Sequence, residues 1–396
     1  MSTAGHTQLA RQTGRPHMAF VEGIRGLSAT YVVFHHLWQF AIANPLRPPP
    51  SWFRVANVFK YGDFGVAVFV VVSGYCLMLP VISDPERRLR GGLSHFAKRR
   101  FLRIIPPYYA ALVFTFVVLG MFSELREQTG TPQDITLPTF TWAKTLSHIF
   151  TFHNWSREWR WGINPPHWTV ALEFQIYFVF ALLLLPVWRR FGPARAVGLA
   201  FAIGFALVAV GLGFAAPWMI ALFTLGMVAA AISFDTDATV VRLRGIRWST
   251  ISIIAWLMLP VAVVIATKVT SSVWARMIEE TLVGVATMAG LIALSRHQLL
   301  ERSAPSPVTA LLTSRPIRFL GDISYSTYLV HYPIVAAVAI VWVRDLDVSV
   351  PVAFVASTVV CWPIILVVSV MFHRLIERPL YRHRPPLVPT PADVVS

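Results

Sequence analysis

FGVAVFVVVSGYCLMLPVI (residues 64–82) is nineteen consecutive residues without a charge. At 1.5 Å per residue, a helix of that length reaches about 28 Å, close to the thickness of a bilayer's hydrocarbon core. The run is too long for an ordinary buried helix and is read as a membrane span. Moving outward in both directions, nine more apolar runs of similar kind appear. They cover residues 19–43, 104–122, 167–188, 196–214, 215–233, 251–267, 281–295, 323–343 and 351–372, of which 281–295 is the shortest. The expected fold class is therefore an all-α integral membrane protein of about ten transmembrane helices, a multi-pass protein of the cell membrane.

Composition agrees. Of 396 residues, 56% are hydrophobic and only 13% are charged, where a soluble domain carries about 25%. The net charge of +15 comes from 34 Lys and Arg against 19 Asp and Glu. These basic residues lie between the apolar runs, so they read as topology signals and exclude nucleic acid as the partner. With the N-terminus placed in the cytoplasm, 23 Lys and Arg fall inside and 10 outside, Arg25 being within the first span. That asymmetry puts both termini in the cytoplasm. The expected division is a polar cytoplasmic tail at 1–18, one transmembrane domain at 19–380, and a Pro- and Arg-rich cytoplasmic tail at 381–396 expected to be disordered. Residues 1–18 lack the apolar core of a cleavable signal peptide. Cys76 and Cys361 both lie in apolar runs and give neither a disulfide framework nor metal-ligand spacing, so no metal is expected. No internal repeat of the transporter or solenoid kind is visible. The longest outer loop, about 123–166, holds Trp142, Trp155, Trp159 and Trp161, which serve either as an interface belt or as a surface for sugar rings.

Polar residues inside the spans carry the chemistry, because lipid makes them expensive. The first span reads FVEGIRGLSATYVVFHHLWQF over residues 20–40. Arg25 and His36 are 11 residues apart, close to three helical turns, so they share a face about 16 Å apart while His35 points elsewhere. Snorkelling is the ordinary role for such an arginine and a helix–helix hydrogen bond for such a histidine; on one face together they suggest a polar track. HWTVALEFQIYF (167–178) brings Glu173 and Gln175 into the fourth span. Counted from the outer end, Glu173 lies at the depth of His36, where a carboxylate can hold an imidazole's tautomer; pairing with a loop arginine is the alternative. AKRRFLRIIPPYY (97–109) presents Arg100 and Arg103 one turn apart, as topology anchors or phosphate ligands. GDISYSTYLVHYP (321–333) is dense in hydroxyls, so Ser324, Tyr328 and His331 are expected to line a cavity.

Six segments in order resemble the acyltransferase-3 family of multi-pass membrane acyltransferases, over residues 20–379. Arg25 and His36 match its Arg-x10-His motif, with Glu22 where Asp is usual. GVAVFVVVSGY (65–75) resembles "GVxxFFxLSGF" and places Ser73 among the cavity residues. RFLRIIPPYY resembles "RxxRIxPxY"; HWTVALEFQIY resembles "WSLSVEEQFY", with Thr169 and Phe174 as departures; ISYSTYLVHYP resembles "ISYSLYLWHWP"; and HRLIERP (373–379) resembles the closing "IEKP". The resemblance implies transfer of an acyl group, acetyl first among them, from acyl-CoA as co-substrate to a hydroxyl of a carbohydrate, a glycan precursor or a glycosylated small molecule, with no bound cofactor. It implies His36 as general base oriented by Glu173, with Arg25, Arg100 and Arg103 at the donor; transient acylation of His36 is the alternative route. The chain is expected to lack the soluble esterase-like domain fused to some relatives, and no G-x-S-x-G nucleophile elbow occurs. The rival class is a membrane transporter or exporter of a modified glycan or small solute, for which the missing repeats and a CoA site are unfavourable; a scaffold that only recruits other enzymes leaves the buried Arg and His unexplained.

Overall fold

A computed structural model describes residues 18–43, 48–127, 139–269, 272–300, 306–343, 346 and 348–382. Both tails, except Met18 at one and residues 381–382 at the other, lie outside the described residues, as does the middle of the long outer loop. Within them the chain is helical, with no strand. The main helices are α1 (Ala19–Ile42), α2 (Asp63–Ile82), α3 (Gly92–Met121), α4 (Trp168–Val179), α5 (Pro193–Ala209), α6 (Met219–Phe234), α7 (Trp248–Val269), α8 (Ser272–Leu300), α9 (Ser324–Ala337) and α10 (Val350–Phe372). Three of them, α4, α9 and α10, continue through π-helical turns at Phe180–Leu184, Val338–Val343 and His373–Glu377.

Seven helices among the described residues are long and apolar enough to cross a membrane, or eight if the bent pair Met219–Phe234 and Ala238–Gly245 is one span. This is fewer than the ten apolar runs suggest. α5 is only 17 residues long, and α1 is diluted by Glu22, Arg25, His35 and His36. The shortest expected span is also corrected: α8 extends to 29 residues, because Arg276, Glu279 and Glu280 continue the helix beyond the apolar stretch.

Helix α1 can carry charge because protein surrounds it. It packs on α2, α9, α10 and the short helix Arg315–Asp322. Gly26 and Gly321 allow the closest of these approaches, since a Cβ on either would meet the opposing backbone. The tightest crossing joins α2 to α6 at Gly74 and Gly226. A methyl group on either would collide with a carbonyl oxygen of the other helix, that of Phe223 or Val71. Without water to drive helices together, small residues that let backbones touch are what hold such pairs.

The segment before α4 folds back into the bundle. Its short helix Trp142–Ile149 is tied to α3 by Tyr108 and Tyr109, whose hydroxyls donate to the carbonyls of His148 (2.9 Å) and Ile149 (2.6 Å). Gln175 bolts the next stretch to α4. Its carbonyl accepts from Trp155 Nε1 (2.9 Å) and Asn154 Nδ2 (3.1 Å), and its amide donates to Thr151 O (2.9 Å). Residues Ile163 to His167 are buried, so the chain is already deep when α4 begins.

Candidate active site

Two chambers lie along α1 and share a wall made by Val66 and Tyr328. The outer one, about 280 Å³, is lined by His35, His36, Gln39, Asp63, Trp161, Trp168 and Tyr332 among others. The inner one, about 50 Å³, is lined by Arg25, Ser73, Arg103, Glu173, Tyr177 and Tyr325. Tyr328 holds its place in the wall by donating to Pro166 O (2.9 Å) and accepting from the Thr169 hydroxyl.

Hydrogen-bond partners fix the protonation pattern of the outer chamber. His331 Nδ1 lies 2.8 Å from Tyr328 O and 3.1 Å from Thr327 O. Carbonyls only accept, so Nδ1 carries the proton and Nε2 is a bare acceptor. That Nε2 is 3.1 Å from His36 Nδ1, which is also 3.0 Å from Val32 O. Both neighbours are acceptors, so His36 Nδ1 is the N–H. Its Nε2 is left with a free lone pair, makes no hydrogen bond among the described residues, and belongs to a ring that lines the chamber. His35, one position back, donates from Nδ1 to Phe59 O (2.8 Å), with Gly62 N 3.3 Å from the same nitrogen.

Behind Trp161, Trp168 and Asp63 of this chamber lie further buried charges and rings. Arg160, 2% exposed, lies over two indoles, 3.7 Å from the ring centre of Trp168 and 4.5 Å from that of Trp161, and donates to Phe214 O. Burial pushes its guanidinium down to about 9. Asp63 pairs with Arg276 at 2.9 Å, and Arg276 reaches Glu280 at 3.4 Å, which also accepts from Trp218. Above α4, His148 and His153 stack with ring centres 3.8 Å apart. Burial lowers His148 to about 4, and burial together with His148 and His167 holds His153 well below the ordinary range.

In the inner chamber, Glu173 Oε1 accepts from Ser73 (2.8 Å) and from the Tyr177 hydroxyl. Arg25 pairs with Glu22 at 3.3 Å. Arg100 is not on the chamber wall; it lies against the rings of Phe96 and Tyr177 at 5.5 and 5.4 Å.

Several expectations change accordingly. Arg25 and His36 do share one helix, but they face different chambers, and Val66 and Tyr328 stand between these where the spacing suggests one polar track. The expected pairing of Glu173 with His36 is corrected: the imidazole's partner is His331, and Glu173 belongs with Ser73 and Tyr177. Residues 163–167 are already enclosed by protein before α4 starts, so counting from the apolar boundary does not give the level of Glu173 in the bundle. Of the residues expected to line a cavity, Ser73 and Tyr328 do. His331 stands behind His36, and Ser324 is buried with its hydroxyl unpartnered among the described residues. Gln39 and Tyr332 were not singled out from sequence. Gln39 follows His36 by three positions, which puts it on the same face; Tyr332 follows His331 directly and carried no such signal. The same holds for Glu377, which accepts from Ser326 (2.6 Å) and pairs with His373 (3.0 Å).

Comparison with known proteins adds the chemistry. The family described as "Acyltransferase domain" matches residues 18–368. The peptidoglycan O-acetyltransferase OatA of Listeria monocytogenes is 24% identical over 352 residues, covering 81% of this chain and 50% of the relative. The O-acetyltransferase OatA of Staphylococcus aureus is 22% identical over 365 residues, covering 85% and 54%. The chain thus spans about half the length of the curated relatives it matches. No solved structure matches.

Proposed function

As this multi-pass membrane chain belongs to the acyltransferase-3 family, we propose that it moves an acetyl group from acetyl-CoA to a hydroxyl of a carbohydrate or glycan precursor. The observation that carries the proposal is the free Nε2 of His36, held in one tautomer by His331 and opening on a chamber walled by indoles. A general base needs a lone pair, a fixed orientation and a place for its substrate, and His36 has all three.

In this reading a sugar lies against Trp161 and Trp168, and Asp63 and Gln39 face its hydroxyls. The donor enters from the side of Arg25 and Arg103, where guanidinium groups suit the phosphates of CoA. As the hydroxyl oxygen attacks the thioester carbonyl, His36 Nε2 takes its proton. The new C–O bond forms, the C–S bond breaks, and the proton passes to the leaving sulfur to give the free thiol. His331 stabilises the imidazolium through the Nδ1–H. Arg100 supports the donor side from behind Tyr177. Glu173, committed to Ser73 and Tyr177, shapes the inner chamber and balances its arginines.

This mechanism needs the CoA phosphates and the acceptor on opposite sides of the wall at Tyr328, with the thioester reaching past Tyr328 to the acceptor hydroxyl beside His36. It therefore goes with ten spans and cytoplasmic termini, counting α1 and α5 as membrane helices. The name of the Listeria relative makes a peptidoglycan sugar the first acceptor to try. The test is transfer of radiolabelled acetyl from acetyl-CoA in membranes containing the wild type or His36→Ala, with mass spectrometry of the product. Labelled glycan from the wild type alone supports the reading. Equal labelling by the variant rejects His36 as base, and label on the protein that is lost in His36→Ala indicates an acyl-histidine route.

A further inference from the structure

A third cavity, of a different kind, opens on the side of the bundle, between α7 and α8. It holds about 710 Å³, and its floor reaches Ile24 of α1 and Val68 of α2. The long walls are apolar, formed by Trp248, Ile253, Trp256 and Leu294, with Gly290 leaving the groove open where a side chain would narrow it. Only 17% of the apolar window of α7 is buried, so the groove faces the bilayer rather than another helix.

One end is cationic. Arg247 and Arg296 line it, and Arg244 stands near enough to Arg296 to repel it. Arg244 is occupied, donating to the carbonyls of Ile232 and Asp235. Among the described residues neither Arg247 nor Arg296 has a carboxylate partner. Two guanidinium groups with no carboxylate partner among the described residues, at the mouth of an apolar groove, call for a ligand with an anion at one end and a hydrocarbon at the other.

We infer that this groove binds one anionic glycerophospholipid. Its phosphate sits against Arg247 and Arg296, and an acyl chain runs past Trp248 and Trp256, about 12 Å further along α7. A zwitterionic lipid brings its own cation to the same place and leaves the two arginines unbalanced, so net charge selects the headgroup. Sugars and soluble anions fit less well, because most of the wall is apolar and the hydroxyls of Ser252 and Thr287 already donate to the carbonyls of Ala286 and Val283. The lipid also lies against α1 at Ile24, beside Arg25 of the inner chamber, and so braces that helix from behind.

The experiment is native mass spectrometry of the full chain released from nanodiscs of dioleoylphosphatidylglycerol mixed equally with dioleoylphosphatidylcholine. The wild type is expected to retain one phosphatidylglycerol per chain, with at least tenfold preference. R247Q/R296Q removes the preference, and Gly290→Leu, which fills the groove and keeps both charges, removes retention. Melting temperature in detergent, titrated with each lipid and with inorganic phosphate, gives a readout on the wild type alone. It should rise with phosphatidylglycerol and not with the others. Equal retention of the two lipids, or a melting shift from phosphatidylcholine as large as that from phosphatidylglycerol, overturns the proposal. So does retention unchanged in folded variants. Protection by phosphate equal to that by the lipid assigns the arginines to a soluble anion and removes the acyl chain.

Discussion

The two chambers along α1 share a wall and little else. The outer one is built from ring nitrogens, indoles and one carboxylate, and it is roofed by a loop that folds into the bundle. The inner one is small, with two arginines and a carboxylate already engaged by hydroxyls. A neutral imidazole with an open lone pair exchanges a proton; an arginine at ordinary pH cannot. In the proposed mechanism the chemical step belongs to the outer chamber and charge recognition to the inner one. Tyr328 is the common boundary.

The division breaks first at His36. His36→Ala should lower turnover by about 10²- to 10⁴-fold with little change in the KM for donor. His331→Ala should lower it less, and it should also shift the pH profile, since the tautomer is no longer held. A matching loss of both turnover and donor affinity in His36→Ala would merge the two chambers into one site.

Acid separates them next. His148 is neutral in the folded loop and falls from an ordinary 6.5 to about 4. The folded state therefore binds fewer protons than the unfolded one between those values. Stability is full above pH 6.5 and is lost as pH falls towards 4, by about 3 kcal/mol for this one group. Proteolysis across the loop 139–167 should speed up over that window while cleavage sites on the inner side stay unchanged. A flat profile would mean that the stacked His148–His153 pair is protonated without cost.

Smaller effects sharpen the inner side. Arg103→Gln should raise the donor KM about tenfold and leave turnover nearly intact, the pattern of lost ground-state binding. Tyr328→Phe keeps the ring in the wall and removes its bonds to Pro166 and Thr169, at about 1 kcal/mol. Hydrolysis of the donor without acceptor is its readout, and about a fivefold rise is expected if the hydroxyl keeps the wall closed.

Sequence carried most of the helical outline, because a charge-free run of bilayer length is at home in few places besides lipid. It also singled out Arg25 and His36, each of which lines a chamber, since both residues are expensive in lipid. It failed where depth was inferred by counting. Glu173 looked level with His36 only because the enclosure of residues 163–167 by protein leaves no periodic signal. The length of α8 was hidden for a related reason: Glu279 and Glu280 end the apolar stretch but are themselves buried, and Glu280 is satisfied by Arg276 and by Trp218 across the bundle. Partners far apart in the chain, such as Ser326 with Glu377, lie beyond what spacing reveals.

The contact between His36 and His331 joins residues 295 positions apart. At about 5 to 20 residues per second, a ribosome needs roughly 15 to 60 seconds to make the stretch between them. Throughout that interval the first helix has been delivered to the membrane with Arg25, His35 and His36 and without the ninth helix that later encloses them. The nascent protein therefore depends on its insertion machinery to shelter an unfinished polar surface, and synthesis rate becomes one of the conditions for obtaining the folded bundle.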